Sequence, residues 1–322
     1  MSSILIALIP ALCWGMVGII STKMGGNAGQ QTLGISVGAL LLGICVTLFY
    51  VIPQNIHVDG HIWIVGLLSG LFWSVGMFGQ LNSFTDLGVS IGLPLSTAGQ
   101  IVTNALLGAS LLGEWQTRSV WLFGSISIIL VALGAVLISA SPHNNNKSNS
   151  KQNPKSFKHG LIFLVISTVG YMLYFIFPNL LVKVGFISSQ IRDANNGINY
   201  MTAIVTPQAI GQVIGAVLIL LVLKKHHTIF KIETAKNVLT GIDWATGNLL
   251  MFISAANVLV GQAMATTLSQ MGVVVGTFGG IYLLHEKKTH DQMVKILIGT
   301  LLMIGGCVLM SNLETIGSWI SL

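Results

Sequence analysis

The sequence predicts an all-α polytopic membrane protein with ten transmembrane helices arranged as a 5+5 inverted repeat. Three observations predict it. First, the chain is too apolar to cover a soluble core: 53% of its 322 residues are hydrophobic, only 7% are charged, and the mean hydropathy is +0.81. An ordinary soluble domain carries about 25% charged residues. Second, ten apolar runs follow one another, most of them close to the about 20 residues that cross a bilayer. Third, the two halves of the chain carry matching short motifs in the same order. The composition excludes a cytosolic enzyme, a nucleic-acid-binding protein and a disordered chain. The net charge of +6 sits between the apolar runs, where Lys and Arg act as topology signals.

The first span, 3–22, has nothing basic before it and reads through Trp14 and Ile20 as a full crossing instead of a cleaved leader. Spans follow at 31–52, 61–81, 87–112 and 119–140. Residues 141–158, SPHNNNKSNSKQNPKSFK, are polar, basic and low in complexity, and read as a flexible linker. The remaining spans are 159–182, 203–223, 238–256, 258–284 and 293–312. The chain therefore divides into a first five-helix repeat at 1–140, a cytoplasmic linker at 141–158 and a second repeat at 159–322.

The register of the repeat comes from five matches. Trp14 and Lys23 pair with Tyr174 and Lys183. GLFWSVGM at 70–77 pairs with GIDWATGN at 241–248, and LSTAG at 95–99 with LSQMG at 268–272. LLGEW at 111–115 pairs with LLHEK at 283–287, and LGAVLIS at 133–139 with GGCVLMS at 305–311. Five matches in order point to duplication. Five helices are an odd number, so each copy ends on the side opposite its start, and the copies lie in opposite orientations, as in many secondary transporters. The second half departs once, with extra residues near 185–201 that include Arg192, Asp193, Asn195 and Asn196. They read as an extended surface loop, with a gating or re-entrant segment as the alternative.

Charge sets the orientation. The loops after spans 1, 3, 5, 7 and 9 hold Lys23, the four linker lysines, Lys224, Lys225, Lys231, Lys236, Lys287, Lys288 and Lys295, whereas the opposite side holds only Arg118, Lys183 and Arg192. This bias places the linker in the cytoplasm and both termini outside. The lysines near 224–236 also suit anionic lipid headgroups. Small-xxx-small spacings such as Gly66–Gly70 and Gly211–Gly215 predict closely packed helices. Pro10, Pro94, Pro178 and Pro207 lie within spans and each removes a helix hydrogen bond. Cys13, Cys45 and Cys307 lie within apolar runs and read as packing residues.

No catalytic, metal or phosphate-binding motif appears, so no enzyme activity and no cofactor are expected. The polar residues within the spans are mostly amides: Gln80, Asn82, Gln100, Asn104, Gln208, Gln212, Asn248, Asn257, Gln262 and Gln270. Amides both donate and accept hydrogen bonds, which suits a neutral, hydroxylated ligand. Trp14, Trp73, Tyr171, Tyr174 and Trp244 offer rings for its C–H face. The expected binding set is Trp14, Trp73, Gln80, Gln100, Tyr171, Trp244, Asn248 and Gln270. Asp243 is the clearest acid within a span, while its repeat counterpart is Phe72. Intramembrane acids are costly and tend to be functional, so Asp243 is the expected proton-coupling residue. Glu114 and Glu286 close spans 4 and 9 and are expected at the interface.

LIALIPALCWG at 5–15, GLLSGLFWSVG at 66–76, LPLSTAGQ at 93–100, LLGEW at 111–115, ISTVGY at 166–171 and LSQMGVVVGTFGGIYLLHEKK at 268–288 resemble the glucose/ribose porter family of the drug/metabolite transporter superfamily. The likeness spans nearly the whole chain and is nearer the glucose-uptake members, through LLGEW and the first span. It implies ten helices in a bacterial cell membrane and import of a neutral monosaccharide, glucose first and ribose second, by proton symport. The implied partners are the sugar, a proton and membrane lipid. An exporter of a drug or metabolite on the same fold is the alternative, because fold alone does not set substrate or direction. The chain departs from the family pattern at Gly76-Met77, where Gly-Gln is expected after the third-span Trp, and in its longer linker.

Overall fold

The computed structural model describes residues 2–113, 115–139, 154–256, 265, 268–313 and 315–316, and all the regular structure among them is helical. Glu114, Asn257, Gln262, linker residues 141–153 and most of 258–267 lie outside the described residues. The helices are α1 (Ser2–Met24), α2 (Ala28–Val46), α3 (Gly60–Leu87), α4 (Val89–Leu107), α5 (Arg118–Ser139), α6 (Pro154–Lys183), α7 (Ile198–Val222), α8 (Ile232–Ala256), α9 (Gly272–Leu283) and α10 (His290–Ser311).

Seven helical stretches among the described residues are long and apolar enough to cross a membrane: Leu5–Met24, Ala28–Val51, Gly60–Leu87, Arg118–Ser139, Lys155–Lys183, Ser189–Val222 and His290–Ser311. Three helices fall outside that set. α8 carries Glu233, Lys236 and Asp243, α4 is rich in hydroxyl and amide residues, and α9 is short.

The helices overrun the apolar windows because caps, not hydropathy, end them. Gly25 and Gly26 take φ of 76° and 88° and stop α1. Asn27 then caps α2 through a reciprocal box with Gln30, which starts the helix three residues before its apolar run. Asp59 accepts from the Ile62 amide at 2.9 Å and starts α3. Pro154 opens α6, a position that tolerates proline, so residues 154–158 belong to that helix and not to a flexible linker.

The 185–201 segment is not an extended loop. It forms a helical turn at Ser189–Asp193, a tighter turn at Ala194–Gly197, and then enters α7. Asn195 and Asn196 adopt φ of 52° and 53°, a left-handed conformation that asparagine tolerates. Ile187 is buried with Ile62, Val65 and Tyr200 at the start of α3, so the segment caps that end of the molecule.

α3 lies along α6 and α7, α8 lies along α1 and α2, and α5 lies along α10. α4 packs on α6 and α9, while α1 packs on α9 and α2 on α7. The tightest approaches involve glycine. A Cβ on Gly70 would sit 2.1 Å from the Gln208 carbonyl oxygen, and one on Gly241 2.1 Å from that of Ile35. Large apolar side chains such as Leu133, Val136, Val165, Leu301 and Val308 face outward. The polar side chains Ser36, Ser69, Ser96, Asn237 and Thr277 are buried instead. A multi-pass membrane protein has this inside-polar, outside-apolar distribution.

Candidate functional site

Three groups of interior polar side chains lie around one aromatic core. The core contains Trp73, Tyr171, Met77 and Phe84, with Tyr174 and Trp244 packed against it. Trp73 is fully buried and its ring lies 4.7 Å from that of Trp244. Four of the five aromatic residues expected from the sequence, Trp73, Tyr171, Tyr174 and Trp244, are thus brought together.

The first polar group joins α3, α4 and α6. The Tyr171 hydroxyl donates to Gln80 Oε1 at 3.1 Å, and Gln80 Nε2 donates to Ser96 Oγ at 2.9 Å. Gln100 Nε2 donates to the same oxygen at 3.2 Å, and Ser167 Oγ lies 3.5 Å from it. The expected residues Gln80, Gln100 and Tyr171 therefore form one connected network with Ser96, a residue the sequence reading did not single out. Networks of this kind fix helices relative to one another.

The second group lines a recess between α2, α7 and α8. Its polar and aromatic residues are Gln208, Gln212, Trp244 and Asn248, and its apolar wall includes Ala39, Leu42, Val46, Val205 and Ala245. Among the described residues, no ionisable side chain lines it. Gln208 Nε2 donates to Ser69 Oγ at 3.0 Å, and Asn248 lies beside Tyr174. Trp244 and Asn248 were expected at the site. Gln208 and Gln212 were visible only as members of a list of in-span amides, with no signal to rank them.

The third group is the seam between α1 and α8. Cys13 faces the Asp243 carboxylate across this seam, and Asp243 Oδ2 is buried without a hydrogen-bond partner among the described residues. Trp14 Nε1 is likewise buried and unpartnered. A Cβ on Gly247 would lie 3.0 Å from that nitrogen, so the glycine lets the indole lie against α8. Trp14 and Asp243 thus share one seam, while Trp14 stays outside the aromatic core. Gln270 is half-buried in the helical residues just before α9 and belongs to none of the three groups.

The linker-side end of the molecule is tied by polar contacts. Glu286 accepts from the Val89 amide at 2.7 Å and from the Ser90 amide and hydroxyl, so it caps α4. The Glu286 carboxylate is 3.7 Å from Lys288 Nζ, and the Lys288 side chain is fully buried. Burial pushes the Lys288 ammonium below the usual lysine range, and Glu286 works against that shift. The sequence reading placed Glu286 at the membrane interface and Lys288 in the following loop. It could not see that Glu286 reaches the start of α4. Asn237 Nδ2 also donates to the Gly25 carbonyl, and Asp86 accepts from Ser156 and meets His159.

The family model described as sugar transport protein matches residues 5–313. A putative sugar uptake protein of Lactiplantibacillus plantarum is 41% identical over 311 residues, which cover 97% of this chain and 99% of that one. The glucose uptake protein GlcU of Bacillus subtilis is 37% identical over 312 residues, with 97% and 99% covered. One solved crystal structure superposes with a TM-score of 0.54 at 14% identity, over 98% of this chain and 96% of that chain. That last likeness is one of fold alone.

Proposed function

Because this chain belongs to the sugar transport protein family, we propose that it is a secondary importer of a neutral monosaccharide, glucose before ribose, driven by proton symport with alternating access. The carrying observation is the recess of Gln208, Gln212, Trp244 and Asn248, which offers amides and an aromatic face and no charge. That chemistry matches a polyol, and because the recess is narrower than a monosaccharide in this packing, the sugar enters it as the two packings exchange. An organic cation or anion would leave its charge unpaired there. The relatives reported above are named for uptake, which leaves the exporter alternative without support.

The alternating-access reading rests on ten crossings in two inverted copies, with α4, α8 and α9 added to the seven apolar spans. Their polar content is sheltered, since each packs between other helices. Packing supports the duplication at the level of single residues. The register that pairs Trp73 with Trp244 also pairs Gly70 with Gly241 and Leu67 with Val238. Gly70 approaches the Gln208 carbonyl and Gly241 the Ile35 carbonyl, both at 2.1 Å to a built Cβ. Gly211 approaches the Leu67 carbonyl and Gly38 the Val238 carbonyl, both at 2.2 Å. Exchanging the two halves carries each contact onto its mate. Such a pair of like surfaces gives two equivalent packings between which a transporter rocks.

In this reading Asp243 holds the coupling proton in the seam with Cys13 and Trp14. Asn248, one helical turn along α8, touches the sugar, and Trp73 supports the Trp244 ring from behind. The network of Gln80, Gln100 and Tyr171 lies across the aromatic core and belongs to the opposite half of the transport path. Lysine bias keeps the linker in the cytoplasm. The test is uptake of labelled glucose and ribose by cells that lack their own sugar transporters. Saturable uptake that a protonophore abolishes supports the proposal. Efflux of a metabolite or drug without sugar uptake overturns it.

A further inference from the structure

Gln208 and Gln212 sit one turn apart on α7, and both line the recess. Their amides are used differently. Gln208 is tied to Ser69 on α3, whereas Gln212 Oε1 is buried with no hydrogen-bond partner among the described residues. The Gln212 side chain is only 2% exposed.

The backbone around Gln212 is fixed. The Ser74 hydroxyl donates to its carbonyl oxygen at 2.7 Å. A Cβ on Gly70 would lie 2.8 Å from its amide nitrogen. The α3 side of Gln212 is therefore filled by main-chain contacts, and the side chain belongs to the recess with Trp244 and Asn248. A buried acceptor without a donor is destabilising, and a leucine or methionine of similar bulk there carries no such cost. The unmet need of Gln212 Oε1 is for one neutral donor within the recess, and a hydroxyl supplies it. An ammonium donor is disfavoured because no carboxylate among the described residues lines the walls.

We propose that Gln212 is a specificity-determining residue whose Oε1 accepts a hydrogen bond from one particular hydroxyl of the transported sugar. This rests on the sugar-import reading and adds to it the group that recognises the ligand. A site that hydrogen-bonds a hydroxyl rejects the analogue lacking it, because the buried protein group is then left unpaired. Removing the protein group removes the discrimination.

The experiment measures competition by each monodeoxy analogue of glucose against labelled glucose, in wild type and in Gln212→Leu. One analogue is expected to compete about tenfold or more weakly than glucose against the wild type. In Gln212→Leu the same analogue competes as well as glucose, and the ranking of the others is unchanged. Gln212→Met carries the same expectation and serves if Gln212→Leu does not reach the membrane. Gln212→Glu keeps an acceptor and is expected to retain the preference. An unchanged ranking of all analogues in Gln212→Leu and Gln212→Met overturns the proposal, as does a uniform loss for every sugar. Absence of any glucose uptake by the wild type is a different result and counts against the sugar-import reading itself.

Discussion

The indole of Trp73 meets that of Trp244 at a centroid distance of 4.7 Å and an interplanar angle of 57°. The two residues occupy equivalent places in the matching motifs, yet their surroundings differ. Trp73 is fully buried in the aromatic core, whereas Trp244 is half-buried and lines the recess. Trp244→Phe is expected to raise the apparent KM for sugar several-fold with normal expression. Trp73→Phe is expected to lower the amount of folded protein and leave KM unchanged. Replacing a buried Trp by Ala costs about 3–5 kcal/mol, so Trp73→Ala is expected to fail to accumulate. Transport kinetics normalised to membrane content separate the two roles.

The glycine contacts give a second prediction. Alanine at Gly241 places Cβ 2.1 Å from the Ile35 carbonyl oxygen, and at Gly70 equally near that of Gln208. Neither partner is a flexible side chain, so the helices must separate. Overpacking costs about 1–3 kcal/mol, more than the about 1 kcal/mol that alanine gains over glycine in a helix. Gly241→Ala and Gly70→Ala are expected to lower the thermal midpoint of the purified protein. Gly305→Ala, with nothing within 4 Å of its Cβ, is expected to leave it unchanged or raise it slightly.

A third prediction concerns the cap on α4. Glu286→Gln leaves the fully buried Lys288 without its carboxylate. Breaking a buried pair costs about 3–5 kcal/mol. The double variant Glu286→Gln/Lys288→Met is expected to recover most of the loss, because it removes the charge that the single variant strands. The lowered pKa of Lys288 fixes the sign of the pH effect. Its folded form binds the proton less well than the unfolded chain, so stability rises with pH across the interval between the lowered value and 10.5. The deficit of Glu286→Gln is therefore expected to shrink as pH rises toward that range. Thermal melts of both variants at neutral and alkaline pH measure it.

The sequence made the membrane class legible through hydropathy and the helices through their apolar runs. Helix ends were not legible to the residue, since Asn27, Asp59 and Pro154 set them and lie outside the apolar windows. Trp73 and Trp244 stood out in the sequence as matched motif residues, but nothing there showed that their rings meet in one core. The division of the amides was not legible either. Gln80 and Gln212 look alike in sequence, and only three-dimensional placement gives one of them Tyr171 and Ser96 and leaves the other without a donor. The cap that Glu286 forms on α4 was not legible, because its partners Val89 and Ser90 lie far away in the chain.

The central claim is that proton movement through Asp243 drives sugar uptake. It is tested most directly by labelled glucose uptake into proteoliposomes under an imposed proton gradient, comparing wild type with Asp243→Asn. The account predicts that the wild type concentrates glucose inside, while Asp243→Asn loses uphill accumulation and still exchanges glucose down its gradient. Full concentrative uptake by Asp243→Asn would contradict it.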